Sequence, residues 1–476
     1  MSSPSRLIVV SNRAPVELVR TPDGARASRN VGGLAAALDD VLRARRGTWV
    51  AWVGPHAPDE LPPDTAGAGY PIRSVRLKER ELKDYYAGFA NQVLWPLCHT
   101  FPDRCRMQPR YWLAYRQANE RFAAAVQAVA QPEDLIWVQD FHLSLVPGFL
   151  RSAGVPARVG FFWHIPFPPA AVFGILRWRA ELLGALLGAD LLGFQTEPDL
   201  RNFLDSVREF LDLPILTDPP RVRLPGREVR VVALPVGVDC ARLRELAGAH
   251  AVRARASRLR AVVGAETVIL GVDRLDYTKG ILERLRSYER FLERQPAWRR
   301  RVCLIQIAVP SRDREPAYGE MKRSIDEAVG RIAGRFTVEG RTPVQYLYTA
   351  LPREQLPAYY LAADVAAVTP LRDGMSLVAK EYVAFRAGLE GGPDGVLVLS
   401  EFAGAAQELA EAVPVNPYDV ESIRRGLEVS VLMPADERRR RMRALESRVA
   451  AHDVRWWTTS FLDLLEGSGS ATASAA

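Results

Sequence analysis

Short runs of Val, Ile, Leu and Phe, each followed by a longer segment with helical apolar spacing, recur along the chain and constrain its fold more than any other feature. Strands that read as near-continuous apolar runs are buried on both faces, and their alternation with helices marks parallel βαβ units. The pattern runs twice. In the first half it predicts strands at 7–11, 49–53, 135–139, 159–163, 191–194 and 229–234; in the second, at 267–272, 302–308, 365–369 and 396–399. Between them, residues 197–211 place Leu200, Phe203, Leu204, Val207 and Phe210 on one helical stripe, a face that should pack on a sheet. The halves meet near residues 235–239, where a strand ends and an Arg/Ala-rich helical pattern begins.

The expected fold is therefore α/β, with two Rossmann-like domains at 1–237 and 238–452. The apolar segment 453–466, with Trp456, Trp457, Phe461, Leu462 and Leu465, should form a terminal helix packing back on the first domain. Residues 467–476 are small and polar and are expected to be disordered. Ligands of doubly wound domains bind at the carboxyl ends of the strands, which is where chemistry should be sought.

Composition removes several other classes. With 476 residues, 48% hydrophobic and 25% charged, the chain has globular averages and length for a large core. The first apolar run, Leu7 to Val10, is shorter than the roughly 7–15 residues of a signal-peptide core. The most apolar later stretch, 182–194, contains Asp190 and falls short of the ~18 residues of a membrane span. A cytoplasmic enzyme without membrane partners is expected, and its oligomeric state is open, a homo-oligomer included. Cys98, Cys105, Cys240 and Cys303 lack the paired spacing of a zinc site and read as buried thiols, and the chain's segments nominate no metal or cofactor. The net charge of +7 rests almost wholly on arginine, since lysine occurs only at Lys78, Lys83, Lys279, Lys322 and Lys380. Basic runs at 299–301 and 438–441 lack interleaved stacking aromatics, so solvated faces are favoured over nucleic-acid binding.

Two strand-turn-helix segments in the second half carry the chemistry. In 271–280, Arg274 and Lys279 stand between a strand and the start of a helix, whose free N–H groups and dipole already favour an anion; a diphosphate fits there. Plain pairing of these cations with Asp273 and Asp276 is the alternative. In 368–382, Asp373 lies at the turn, Gly374 permits close backbone approach, and the N–H groups of Met375, Ser376, Leu377 and Val378 open towards a ligand. Glu381 follows about a turn inside the helix, a carboxylate suited to vicinal hydroxyls. Lys380, its neighbour, cannot face it on a helix.

The first half offers Asp140 and His142 at one strand end and His164 at the next, where prolines force the exit of the chain. A core histidine is the ordinary reading of such a position. The run Ser11-Asn12-Arg13 closes the first strand, and Gly32-Gly33 opens a helix as a loose phosphate-binding turn.

Taken together, these segments resemble the trehalose-6-phosphate synthases, retaining glycosyltransferases of GT-B architecture with two facing Rossmann-like domains and a ligand cleft between them. The resemblance runs from Arg6 to about Leu465 and is most specific at 273–280, 370–382, 84–95 and 160–168. It implies transfer of glucose from an NDP-glucose to glucose 6-phosphate. Gly33, Arg274 and Lys279 would then hold the donor diphosphate, Glu381 the ribose, and Asp373 with the N–H groups of residues 375–378 the donor glucose. Ile307 and Leu351 would border the base. Arg13 and Arg312 would grip the acceptor phosphate, Tyr86, Trp95 and Asp140 would shape its sugar site, and His164 would lie beside the reacting glucose. The implied mechanism is metal-independent and front-face, with the leaving diphosphate helping to accept the acceptor's proton.

Ser376 stands where that family usually has Asn, Trp163 where it often has Leu, and Phe141 where Tyr is common. Two other readings share the motifs: a glucosylglycerol-phosphate synthase, accepting glycerol 3-phosphate, and a catalytically silent regulatory homologue. The silent homologue would be expected to have lost some of Arg274, Lys279, Asp373, Glu381 and His164, and all five are present.

Overall fold

The computed structural model describes residues 5–467 apart from 22–23, 30–32, 56, 313–315, 353, 390–391 and 393. The expected disordered tail thus lies almost entirely outside the described residues. The chain divides into two compact units, Met1–Pro235 with Val454–Ala476, and Val236–Asp453.

The first unit is built on one ten-stranded sheet. Its strands, with a separate hairpin, are β1 (Leu7–Arg13), β2 (Val16–Thr21), β3 (Gly24–Arg29), β4 (Thr48–Trp52), β5 (Glu60–Leu61), β6 (Ile72–Ser74), β7 (Leu135–Gln139), β8 (Arg158–Phe162), β9 (Leu191–Phe194), β10 (Ile215–Thr217), β11 (Pro220–Leu224) and β12 (Arg227–Ala233). The order β10-β11-β12-β9-β8-β7-β1-β4-β6-β5 is parallel from β12 to β6, and the antiparallel additions lie at both edges. All five residues of β7 are buried.

Helix Glu197–Leu211 starts where its caps dictate. The Thr196 hydroxyl accepts the N–H of Asp199, Pro198 sits in the first turn, and Asp212 ends the helix in the left-handed region. Helix Val454–Glu466 belongs to this unit, with Phe461 stacked on Trp137 at 4.4 Å. Glycines make room for it: a Cβ on Gly160 or Gly193 would come within 2.7 or 2.9 Å of the Phe461 ring.

The second unit is a six-stranded, all-parallel sheet of β13 (Thr267–Arg274), β14 (Val302–Val309), β15 (Val344–Tyr348), β16 (Val365–Val368), β17 (Val396–Ser400) and β18 (Val413–Val415), in the order β15-β14-β13-β16-β17-β18. Its strands read as unbroken apolar runs because successive residues enter two cores. Val268, Leu270, Leu397 and Leu399 go to one face, and Ile269, Val396 and Val398 to the other.

One expectation about the thiols is corrected. Cys98, Cys240 and Cys303 are buried, but Cys105 is only partly so, because it lies in the irregular segment after Pro102–Arg104 rather than in an element of the core.

Candidate active site

In the second unit the two nominated turns are one structure. After β13 the chain makes a 3-10 turn, Tyr277–Lys279, fixed by the Asp276 carboxylate accepting the Thr278 N–H at 3.0 Å. Gly280 follows at φ 62°, and a Cβ there would lie 2.3 Å from the Thr369 carbonyl oxygen, at the foot of the other turn. The Leu371 N–H donates to the Thr278 carbonyl at 2.7 Å, and Lys279 Nζ donates to Asp373 Oδ2 at 2.7 Å. Ser376 Oγ donates to the same carboxylate oxygen at 2.5 Å.

Lys279 is therefore not paired with Asp273 or Asp276, the alternative the sequence left open. Asp276 is taken by Arg312 and Tyr318, and Asp273 by Arg284. The exposed Arg274 is the last residue of β13. Leu377 and Val378 open helix Leu377–Ala387, so helical geometry gives their N–H groups no partner inside it. Glu381, one turn on, accepts the Tyr360 hydroxyl at 2.7 Å. The backbone is also close-packed here, since a Cβ on Gly404 would overlap the Gly374 carbonyl. Ile307 is buried in β14, and Leu351 is partly buried against the same apolar cluster.

Beneath these turns lies Arg284, fully buried and missed by sequence reasoning. Its Nη1 donates to Asp273 at 2.6 Å and to Gln306 at 2.8 Å, and its Nε donates to Thr369 at 3.0 Å. One guanidinium thus joins the middle of β14 to the carboxyl ends of β13 and β16. A signal was present: within the helix Ile281–Arg294, Arg284 falls on the stripe made by Ile281, Leu285, Tyr288 and Leu292, where a charge has no reason to be unless it is paired.

The first unit gathers Arg13, Tyr86, Trp95, Asp140 and His164 around the ends of β1, β7 and β8. The exposed Arg13 guanidinium lies 5.4 Å from the Trp52 ring and 5.3 Å from the Tyr86 ring. Tyr86 stacks in turn on His142 at 5.5 Å. Tyr86 stands in a π-helix, Lys83–Leu94, a rare form that often accompanies functional sites. Its neighbour Tyr85, buried, donates to Asn12 Oδ1 at 2.8 Å and so ties this helix to the end of β1. Trp95 is buried against His99 and Phe141.

Asp140 has φ 73°, a region costly to a non-glycine residue. Its conformation is held by the Asp140 N–H donating to Phe162 O, and by Oδ1 accepting from the N–H groups of Phe141 and His164. Burial opposes its charge, but the nearness of His142, whose Nδ1 lies 3.6 Å from Oδ2, and the Phe141 N–H outweigh that, so its pKa lies below the usual carboxylate value. Among the described residues, seven non-glycine positions have left-handed φ, and Asp140, Arg312 and Ser376 are three of them. Strain of that kind concentrates at functional sites. Gly33 is the first residue of helix Gly33–Ala44, while Gly32 lies outside the described residues. Arg312 belongs to the second unit, whereas the other four nominated acceptor residues belong to the first.

Each of the two α/β units collects charged and polar groups at the ends of parallel strands, the ligand-binding end of a Rossmann-type, doubly wound fold. The family model of glycosyltransferase family 20 matches residues 5–467, and the chain belongs to that family. A trehalose-6-phosphate synthase of Mycolicibacterium smegmatis is 43% identical over 98% of this chain and 94% of its own length. An α,α-trehalose-phosphate synthase (UDP-forming) from Burkholderia xenovorans, solved with glucose-6-phosphate, is 36% identical with a TM-score of 0.87, covering 97% of this chain and 100% of that one. An E. coli structure described as trehalose-6-phosphate bound with UDP-2-fluoro glucose is 34% identical with a TM-score of 0.87, covering 97% and 99%. Among the described residues, no helix is long and apolar enough to cross a membrane.

Proposed function

We propose that this chain is an α,α-trehalose-6-phosphate synthase of the cytoplasm, moving glucose with retention from UDP- or GDP-glucose to glucose 6-phosphate without a metal. The observation that carries the reading is the joining of two β-α turns by Lys279 and Asp373 at 2.7 Å, which puts a cation, a carboxylate and a helix N-terminus at one spot. A donor there meets opposite demands at its two ends. Lys279, Arg274 and the backbone at Gly33 take the diphosphate; Asp373, with the N–H groups of residues 374–378, takes the sugar; Glu381 takes the ribose; Ile307 and Leu351 border the base. Arg13, Arg312, Tyr86, Trp95 and Asp140 take glucose 6-phosphate, and His164 lies beside the transferred sugar.

Charge develops on the leaving diphosphate as the glycosidic bond breaks, and fixed cations stabilise it without reorganising. The two carboxylates nominated for the site are poor nucleophiles in this setting. Asp373 Oδ2 already receives a lysine and a hydroxyl, and Asp140 Oδ1 receives two backbone N–H groups. A front-face transfer, with the departing phosphate accepting the acceptor's proton, needs neither as a covalent partner.

The test is an assay of UDP-, GDP- and ADP-glucose against glucose 6-phosphate and glycerol 3-phosphate, with and without chelator, and with the anomeric configuration of fresh product read by NMR. An α,α-linked disaccharide phosphate formed in chelator is expected. Product from glycerol 3-phosphate alone would make the chain a glucosylglycerol-phosphate synthase, and a trapped glucosyl ester on Asp140 or Asp373 would end the front-face reading.

A further inference from the structure

Strands β9, β8 and β7 are consecutive neighbours in the first sheet, and at their carboxyl ends stand Gln195, His164 and Gln139. Both glutamines are buried, each 3% exposed. His164 Nε2 lies 2.8 Å from Gln139 Oε1, and Gln195 Nε2 lies 3.4 Å from His164 Nδ1 and 3.4 Å from the His164 carbonyl oxygen. That last contact decides the orientation of the amide. A carbonyl oxygen only accepts, so Gln195 must turn its NH2 group to it, and the same NH2 group then faces Nδ1. Nδ1 is left as an acceptor, Nε2 carries the proton, and a second proton would bring N–H against N–H.

We infer that Gln139 and Gln195 are positioning residues that hold the His164 imidazole in its neutral, Nε2-protonated form, so that it serves the transferred sugar as an uncharged wall and not as a proton donor. The catalytic part of this inference rests on the proposed function, which places His164 beside that sugar. The titratable groups facing His164 are Asp140, on the turn after β7, and His142 beyond it. From helix Val454–Glu466 the ring meets Trp457 at 5.9 Å, and from β8 itself Phe162 at 4.7 Å, neither of them titratable. Asp140 favours a cation, yet burial first and His142 second work against it, and the imidazole pKa lies below its ordinary value. A neutral His164 also fits a reaction in which the leaving phosphate handles the proton.

The test uses the whole enzyme labelled with nitrogen-15 at histidine, the His164 signals being assigned by their loss in His164→Asn. At about pH 6, just below the free imidazole pKa, the wild type is expected to show one protonated and one bare ring nitrogen, with Nε2 protonated. Gln195→Glu replaces the NH2 group with an acceptor and is expected to raise the His164 titration by about one pH unit. The acid limb of kcat/KM should move with it. A doubly protonated or Nδ1-protonated His164 in the wild type would overturn the inference, as would a Gln195→Glu titration that does not move. Because the ring signals need no substrate, the tautomer is read even if the chain transfers no glucose. That failure would sink the proposed function and not the clamp. Should Gln195→Glu not fold, the wild-type spectrum alone decides.

Discussion

The two nominated halves of the site are held by different forces. In the second unit the turns are fixed by ions: Lys279 on Asp373, Arg312 on Asp276, and Arg284 on Asp273 at 1% side-chain exposure. In the first unit, Arg13 lies against two ring faces, Tyr85 holds Asn12, and His164 stands between two amides. An ion-paired turn comes with its cations desolvated and positioned, but the removal of one partner leaves the other uncompensated in a poorly solvated place. A site of rings and neutral amides loses a contact and at worst leaves an uncharged group unsatisfied, a smaller cost than a stranded ion. Damage should therefore be abrupt in the second unit, striking turnover and stability, and graded in the first, striking acceptor affinity.

The sharpest break is expected at Lys279. Its cation would act on charge that exists only in the transition state, so Lys279→Ala should lower kcat by about 10²–10³-fold with KM for the donor little changed. If KM rose and kcat held, Lys279 would be a ground-state anchor and the contrast would lose its catalytic half. Next comes Arg284→Met, which strands Asp273 in the core and should cost about 3–5 kcal/mol in denaturant unfolding. Adding Asp273→Asn should recover part of that loss. A double variant as unstable as the single one would mean that Arg284 acts through Gln306 and Thr369 and not through the ion pair.

What the sequence disclosed follows the same division. Buried parallel strands were legible because their apolar runs have one physical cause, and β7 and β9 fall where the pattern placed them. Missing from that pattern were β5, β6, β10, β11, β15 and β18, all outer strands of the two sheets, together with the β2-β3 hairpin. An outer strand needs less apolar surface, and β15, with Tyr346 and Tyr348 partly exposed, carries too little to announce itself. The turns of the second unit were legible because their chemistry sits in one stretch of chain: Lys279 is three residues from Asp276 and two from the helix it precedes. The supports were not, since Arg284, Gln139, Gln195 and Asn12 matter through partners 11 to 85 residues away. The π-helix was hidden for another reason. Nothing in its local apolar pattern separates it from an α-helix, and its tie to the end of β1, the Tyr85 hydroxyl on Asn12, spans 73 residues.

In the first unit the effects should be smaller and ordered. Arg13 is exposed and already partly unhydrated by the faces of Trp52 and Tyr86, a setting in which a guanidinium can take a phosphate. Arg13→Ala is expected to raise KM for glucose 6-phosphate about ten- to a hundredfold, the worth of a charge-assisted hydrogen bond, with kcat nearly unchanged. Steady-state kinetics with glucose as a second acceptor checks the assignment: the variant should use glucose no worse than the wild type does. Equal losses on both acceptors would mean that Arg13 holds structure and not phosphate.

The mildest change tests whether this half is graded at all. Tyr85→Phe removes one buried hydroxyl and leaves Asn12 Oδ1 without its donor, a loss of about 1 kcal/mol. Asn12 precedes Arg13, and Tyr85 precedes Tyr86, so the bond fixes the spacing between the cation and the ring it lies against. Because that ring is one of two beside Arg13, the guanidinium keeps Trp52 when the π-helix relaxes. KM for glucose 6-phosphate should then rise only two- to fivefold, consistent with about 1 kcal/mol or less. A rise as large as that of Arg13→Ala would show that the π-helix and the end of β1 move as one rigid piece. The first unit would then respond as abruptly as the second, and rings and amides would be as unforgiving a support as ion pairs.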